Sequence, residues 1–129
     1  MLYLTIMKVS VILLTWQRLN GLPTILESLA NQTYKDFDLY ISNGNLERQH
    51  VVERYCGPFK DKLNMHLSHD GNDDFSFRRM FIAQKLANEG TEVILFIDDD
   101  VGIPKDYIEK CLLQYEPKTY TVSYTHLTL

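Results

Sequence analysis

The sequence predicts an α/β fold, with a mainly parallel sheet and helices on both faces. Three observations carry that prediction. Short apolar runs alternate along the chain with stripes of helical period, in the order β-α-β-α-β-α-β-α. The runs Val9 to Leu14 and Val93 to Ile97 are nearly continuous in apolar residues, as expected of strands buried on both faces. The 129 residues are 45% hydrophobic and 23% charged, which is enough for one domain with a real core and excludes a disordered chain.

Each element has its own justification. Val9 to Leu14 is the first strand. Leu22, Ile25, Leu26 and Leu29 follow at helical spacing, with Pro23 in the first turn. Phe37 to Ile41 is the second strand, closed by the turn signal Ser42-Asn43-Gly44-Asn45. Leu46 to Tyr55 is a helix that stops at Gly57-Pro58, and Leu63 to Leu67 alternates as a third strand. His69 to Asp74 is a polar loop containing Gly71. Phe75 to Asn88 is a helix with Phe77, Met80, Phe81, Ala83 and Ala87 as its apolar members and Gly90 past its end. Val93 to Ile97 is the clearest strand. Pro104 begins a last helix with the stripe Ile108, Cys111, Leu112 and Tyr115. The sequence holds no repeat, low-complexity tract or linker.

Thirteen Lys and Arg against seventeen Asp and Glu leave a net charge of −4, which argues against a protein that holds nucleic acid by charge alone. Cys56 and Cys111 are too few for a disulfide scaffold and fit a reducing cytosol. No run reaches the roughly 18 apolar residues that span a bilayer. The opening MLYLTIMKVSVILL is broken by Thr5, Lys8 and Ser10 and lacks the charge order of a signal peptide, so it reads as a buried strand, with Met7-Lys8 as an alternative start. At the other end, Val122 to Leu129 reads VSYTHLTL, which resembles a translated transposase adapter from sequencing libraries. The competing reading is a native last strand, because Thr119 to Tyr124 alternates and is rich in β-formers. The adapter reading sets 122–129 apart as a non-native tail and 1–121 as the folded part.

In parallel sheets ligands bind beyond the carboxyl ends of the strands. Those ends offer Thr15-Trp16-Gln17-Arg18, Ser42-Asn43-Gly44, Ser68-His69-Asp70 and Asp98-Asp99-Asp100. Three consecutive carboxylates after a buried strand repel one another, and a divalent cation such as Mg²⁺ or Mn²⁺ relieves that repulsion with oxygen ligands. In an extended segment Asp98 and Asp100 share a side while Asp99 points away. The alternative is that the acids cap the helix near Pro104, although a cap needs only one of them. Trp16 offers a face on which a nucleobase can stack and Arg18 a cation for phosphate; otherwise the indole packs on the next helix and Arg18 is solvated. Arg78 and Arg79 either meet a diphosphate or pair with Asp73 or Asp74. His50 and His66 read as core or surface residues, and no His-x-x-x-His or Cys-x-x-Cys pair occurs.

In combination, VSVILLTWQR, LESLANQTYKDFDLYISNGN, FSFRRMFIAQKLA and EVILFIDDDVGIPKDYIEK resemble the N-terminal half of the family-two glycosyltransferases, which have the Rossmann-like GT-A fold. The resemblance covers roughly Lys8 to Tyr120. It implies a nucleotide-sugar donor, usually a UDP-sugar, a divalent metal (Mg²⁺ or Mn²⁺) on its diphosphate, and a hydroxyl acceptor, with transfer of the hexosyl type. By position, Thr15, Trp16 and Arg18 match the strand end that holds the base, with Trp16 in the stacking place. Arg79, or else Arg78, matches an arginine that faces the nucleotide. Asp98 and Asp99 are candidates for the nucleotide-sugar, and Asp98 and Asp100 for the metal.

There are departures from the family pattern. Gln17 stands where Asn is usual, and Met80 where Asn usually follows the arginine. Ser42-Asn43 replaces an acidic pair that contacts the base, although Asn43 can still hydrogen-bond a pyrimidine edge. No segment matches the half that carries the general base of inverting members. The expectation is therefore a donor-binding part that is inactive by itself, cytoplasmic or peripheral to the inner face of a membrane, and with Ile108 and Leu112 of its last helix exposed. The competing classes are a noncatalytic α/β nucleotide- or metal-binding module, a phospho-receiver and a nucleotidyltransferase. A receiver places acids after its first strand, where Thr15-Trp16 stands. A nucleotidyltransferase needs a glycine-rich loop there, and Thr15 to Asn20 contains no glycine.

Overall fold

The structure is a computed structural model and describes residues 8–71, 75–99 and 102–114. The alternative start at Met7, the pairing with Asp73 or Asp74, the Asp100 metal assignment, Tyr115 and the 122–129 tail lie outside the described residues. In chain order the elements are β1 (Val9–Thr15), α1 (Leu22–Ala30), β2 (Phe37–Asn43), α2 (Gln49–Cys56), β3 (Asn64–His69), α3 (Phe75–Asn88), β4 (Val93–Ile97) and α4 (Tyr107–Leu113). Short 3-10 turns, Leu46–Arg48 and Gly57–Phe59, flank α2.

All strand pairs are parallel, in the order β3-β2-β1-β4. Val9 is opposite Phe37 on one side and Val93 on the other. Central placement explains the continuous apolar run of β1, in which all seven residues are buried. Alternate residues face opposite layers. Val11, Leu13, Leu39, Ile41, Leu95 and Ile97 form one core with α1, α2 and α4. Ile12, Leu14 and Phe96 form a second with Leu86, Ile82 and Ala83 of α3. The helices thus cover both faces, three on one and α3 on the other.

Four expectations need correction. Ser42 and Asn43, a turn by composition, continue β2, because each is held in register on both sides, by Leu14 and Thr15 and by Ser68 and His69. The helix expected from Leu46 is a 3-10 turn followed by α2, with the Asn45 side chain accepting from the Arg48 N–H at 3.2 Å. In α3 the inward stripe is Leu86, which is buried, with Ile82 and Ala83 partly buried beside it, whereas Phe77, Met80 and Phe81 are exposed; a helix apolar on several sides leaves its inward face undecided by sequence alone. Finally, α4 starts at Tyr107, and Ile108 and Leu112 are 0% and 3% exposed. They pack into the α1 and α2 layer instead of facing solvent. No helix among the described residues is long and apolar enough to cross a membrane.

Candidate functional site

The chain steps outward from β1 to β2 to β3 and then crosses to the other side of β1 to form β4. Strand order reverses at that point, and a crevice opens between the loops leaving β1 and β4. Thr15-Trp16 leave one side of it and Asp98-Asp99 the other.

On the α1 face, the polar residues at this edge are engaged with one another. Thr15 and Asn43 are register partners and both are 0% exposed. The Thr15 hydroxyl donates to Asn43 Oδ1 at 3.0 Å. That oxygen also accepts from the Asn45 N–H at 2.9 Å, and the Asn43 amide donates to the Asn45 carbonyl and to His69 Nδ1, both at 3.0 Å. All four hydrogen-bonding positions of the amide are thus used internally. On the other side of the ring, His69 Nε2 meets Glu53 Oε2 at 2.9 Å. This network ties β1, β2, β3 and α2 together. Asn43, expected to offer its amide to a base, is fully buried with each of these positions engaged by the protein, and Thr15 is one of its partners.

On the α3 side the edge carries charge. Ser42 and Ser68 pair across β2 and β3, and both hydroxyls donate to Asp70 Oδ2 at 2.6 Å. Burial works against ionisation of Asp70, but these two hydrogen bonds, followed by the charge of Arg78, hold its carboxyl below the ordinary aspartate value. Arg78 is buried. Arg79, the next residue of α3, lies 3.8 Å from Asp98 Oδ1 and stacks over the Phe96 ring at 5.6 Å. Trp16 is partly exposed beside Gly44. A Cβ at Gly44 would lie 3.2 Å from the carbonyls of Gly71 and Thr15 and 3.4 Å from Trp16 Cδ1, so only glycine lets the three segments converge without displacing one.

The structure thus brings Trp16, Arg79, Asp98 and Asp99 to the crevice and turns Thr15 and Asn43 inward. Arg18 is exposed and takes no ion-pair partner among the described residues. Asp98 and Asp99 are partly exposed and offer hard carboxylate oxygens, the donor type that Mg²⁺ and Mn²⁺ take; such sites need only one or two carboxylates besides phosphate and water. The donor set fits, although no group of three His, Cys, Asp or Glu forms among the described residues.

Two residues here were not singled out by sequence reasoning. Asp70 stands in a strand end, but nothing in the sequence shows that both serines converge on it. Gln32 is 0% exposed, donates to the carbonyls of Ser28 (3.0 Å) and Pro104 (2.7 Å) and accepts from the Ile108 N–H (3.0 Å). It pins the segment that follows the acidic triplet to α1. A cleft of about 550 Å³ lies beside that junction, lined by Thr24, Glu27, Ser28, Asn31, Ile103 and Lys105.

Over residues 10–127 the sequence matches Glycosyl transferase family 2. The chain belongs to that family. Among solved structures, this family 2 chain is similar to the crystal structure of S. aureus TarS, at 26% identity and a TM-score of 0.65, over 83% of this chain and 19% of that one. It is similar in the same degree to S. aureus TarS 1-349 (26%, TM-score 0.65, 83% and 32%) and to TarS 1-349 in complex with UDP-GlcNAc (26%, TM-score 0.64, 83% and 30%). The chain therefore spans about a fifth to a third of the length of the TarS structures it matches. No curated protein sequence matches it. Family membership fits the observed sheet order and the α/β architecture that its periodicity predicts.

Proposed function

We propose that this chain is the donor-binding part of a metal-assisted glycosyltransferase, which moves a sugar from a nucleotide-sugar donor, a UDP-sugar foremost, to a hydroxyl acceptor. The supporting observation is the convergence of an aromatic face (Trp16), a cation (Arg79) and carboxylates (Asp98 and Asp99) at the switch point of the sheet, in a family 2 chain. The UDP-GlcNAc complex of a similar structure supports the choice of donor.

In this reading Trp16 stacks on the base and Arg18 and Arg79 face the phosphates. Asp98 and Asp99 contact the nucleotide-sugar, and Asp98 with Asp100 would hold the divalent metal. When bound, that ion neutralises the charge that builds on the departing nucleoside diphosphate. Arg79 lies 3.8 Å from Asp98, so diphosphate and metal would bind beside this pair. The acceptor hydroxyl must lose a proton to a base, and no residue described here stands in that role.

Calorimetry with UDP in the presence and absence of Mn²⁺ tests this reading. Wild type binds UDP more tightly with Mn²⁺, and Asp100→Ala abolishes the metal-dependent part. Unchanged affinity in Asp100→Ala refutes the metal role, and failure of the wild type to bind UDP refutes the donor assignment.

A further inference from the structure

We propose that Gln32 is a positioning residue for the acids that leave β4: its buried amide fixes the far end of the acidic segment and so sets how tightly the protein holds a diphosphate through a metal ion. The inference rests on the nucleotide-sugar reading above and adds a residue outside the crevice that tunes the site.

The segment that carries Asp98 and Asp99 is fixed at both ends. On one side β4 holds it, paired with β1 up to Ile97, which is opposite Leu13 and buried. On the other side α1 and the residues just past its end hold it. Gly102 passes close to α1, where a Cβ would lie 3.0 Å from Ser28 Oγ and 3.4 Å from Thr24 Cγ2. The Gln32 amide donates to the Pro104 carbonyl at 2.7 Å, and its oxygen accepts from the buried Ile108 N–H at 3.0 Å. The Thr33 N–H donates to the Lys105 carbonyl at 2.7 Å. Gln32 is itself anchored, because its amide nitrogen also donates to the Ser28 carbonyl at 3.0 Å.

These bonds give direction where packing gives only adhesion. Ile103, Ile108 and Leu112 lie in the apolar core shared with α1, and such contacts are non-directional. Asp106 stands at the N-cap of α4 without a side-chain capping bond, so the Gln32 oxygen supplies the acceptor that this first turn lacks. One fully buried side chain thus settles both where the acidic segment ends and where α4 begins. Neighbouring carboxylates repel one another, and an ion that gathers them meets less resistance when their backbone is already placed. Releasing one end lets the segment sample other conformations, and re-ordering a single residue on binding costs about tenfold in affinity.

Calorimetry with UDP, in Mn²⁺ and in EDTA, tests this on the 129-residue chain, with thermal melts to show that each variant is folded at the titration temperature. The readout is the ratio of UDP affinity in Mn²⁺ to that in EDTA. Gln32→Met is expected to lower this ratio about tenfold, while UDP affinity in EDTA stays within about twofold of wild type. Gly102→Ala loosens the same clamp without touching Gln32, since its methyl group meets a Ser28 hydroxyl held by its own bond to the Thr24 carbonyl at 3.0 Å. It should lower the ratio as well, and Ser28→Ala in the same chain should restore it, because the obstructing oxygen is gone. A ratio within about twofold of wild type in either folded single variant overturns the role of the clamp and leaves the donor reading standing. An equal loss of affinity in Mn²⁺ and EDTA, which a merely structural role produces, does the same, as does a double variant no better than Gly102→Ala. Wild type that binds no UDP, or binds it equally in both media, overturns the clamp together with the reading on which it rests.

Discussion

Gln32→Met is the most informative test of how the segment after the acidic triplet is held. Methionine has nearly the volume of glutamine and fills the site, so the change removes hydrogen bonds while leaving little cavity. Three bonds disappear: those to the carbonyls of Ser28 and Pro104 and the one from the Ile108 N–H. The groups left behind differ in exposure. The Ile108 N–H is buried, so orphaning it costs about 2 kcal/mol. The two carbonyls are partly buried and reach water more readily, at about 0.5 to 1 kcal/mol each. The sum is about 3 kcal/mol, a large share of the 5–15 kcal/mol that holds a domain together.

For a chain of this size that loss lowers the melting temperature by about 10 °C. Urea unfolding followed by circular dichroism reads it directly, as a shift in midpoint at constant slope. The Thr33 N–H to Lys105 carbonyl bond at 2.7 Å remains as a second tie between the same segments, so the variant should still fold. A Gln32→Met protein within about 0.5 kcal/mol of wild type refutes the argument, because it would mean that the buried amide contributes nothing that packing does not replace.

Two further outcomes follow from the site. Gly44→Ala places a methyl group 3.2 Å from two backbone carbonyls, so those segments must shift by a few tenths of an ångström; it should cost about 1–3 kcal/mol and shift the fluorescence of Trp16, the one tryptophan of the chain. Asp70 has a folded value below the ordinary 3.8, so its contribution to stability is present above that pH and is lost as pH falls through the folded value. Melting temperature should therefore drop between about pH 5 and pH 3, and more steeply in wild type than in Asp70→Asn.

What the sequence discloses and what it conceals follow from the range over which each feature is determined. Strands buried on both faces announce themselves locally, so Val9 to Leu14 and Val93 to Ile97 are legible as apolar runs. Ser42 and Asn43 are not, because what keeps them extended is pairing with Thr15, Ser68 and His69, and composition alone reads them as a turn. The α3 face is ambiguous for a different reason: Phe77 and Phe81 are as apolar as Ile82 and Leu86, and only the position of the sheet decides which pair faces inward. At the site, Trp16, Arg79 and Asp98 sit in short motifs and could be picked out by residue type. The importance of Asp70 and Gln32 depends on partners 28 and 72 to 76 positions away in sequence. No local pattern encodes such contacts.

The two sides of the sheet edge divide the work in a way that residue types alone do not suggest. On the α1 side, Thr15, Asn43, His69 and Glu53 form one hydrogen-bonded series centred on the Asn43 amide, and this series fixes the spacing of the strand ends. On the α3 side, adjacent residues of one helix face separate acids: Arg78 acts on Asp70 at the β3 end, and Arg79 lies beside Asp98 at the β4 end. Neighbouring strands are about 4.8 Å apart, so the ends of β3 and β4, three spacings apart in the sheet, lie about 14 Å from each other. Consecutive helix positions diverge by about 100°, which lets two neighbouring guanidinium groups serve sites that far apart. Such an edge fits an elongated ligand with distinct chemistry at its two ends better than a compact one. Displacing Arg79 alone should weaken contacts at the β4 end while leaving the Asp70 end intact.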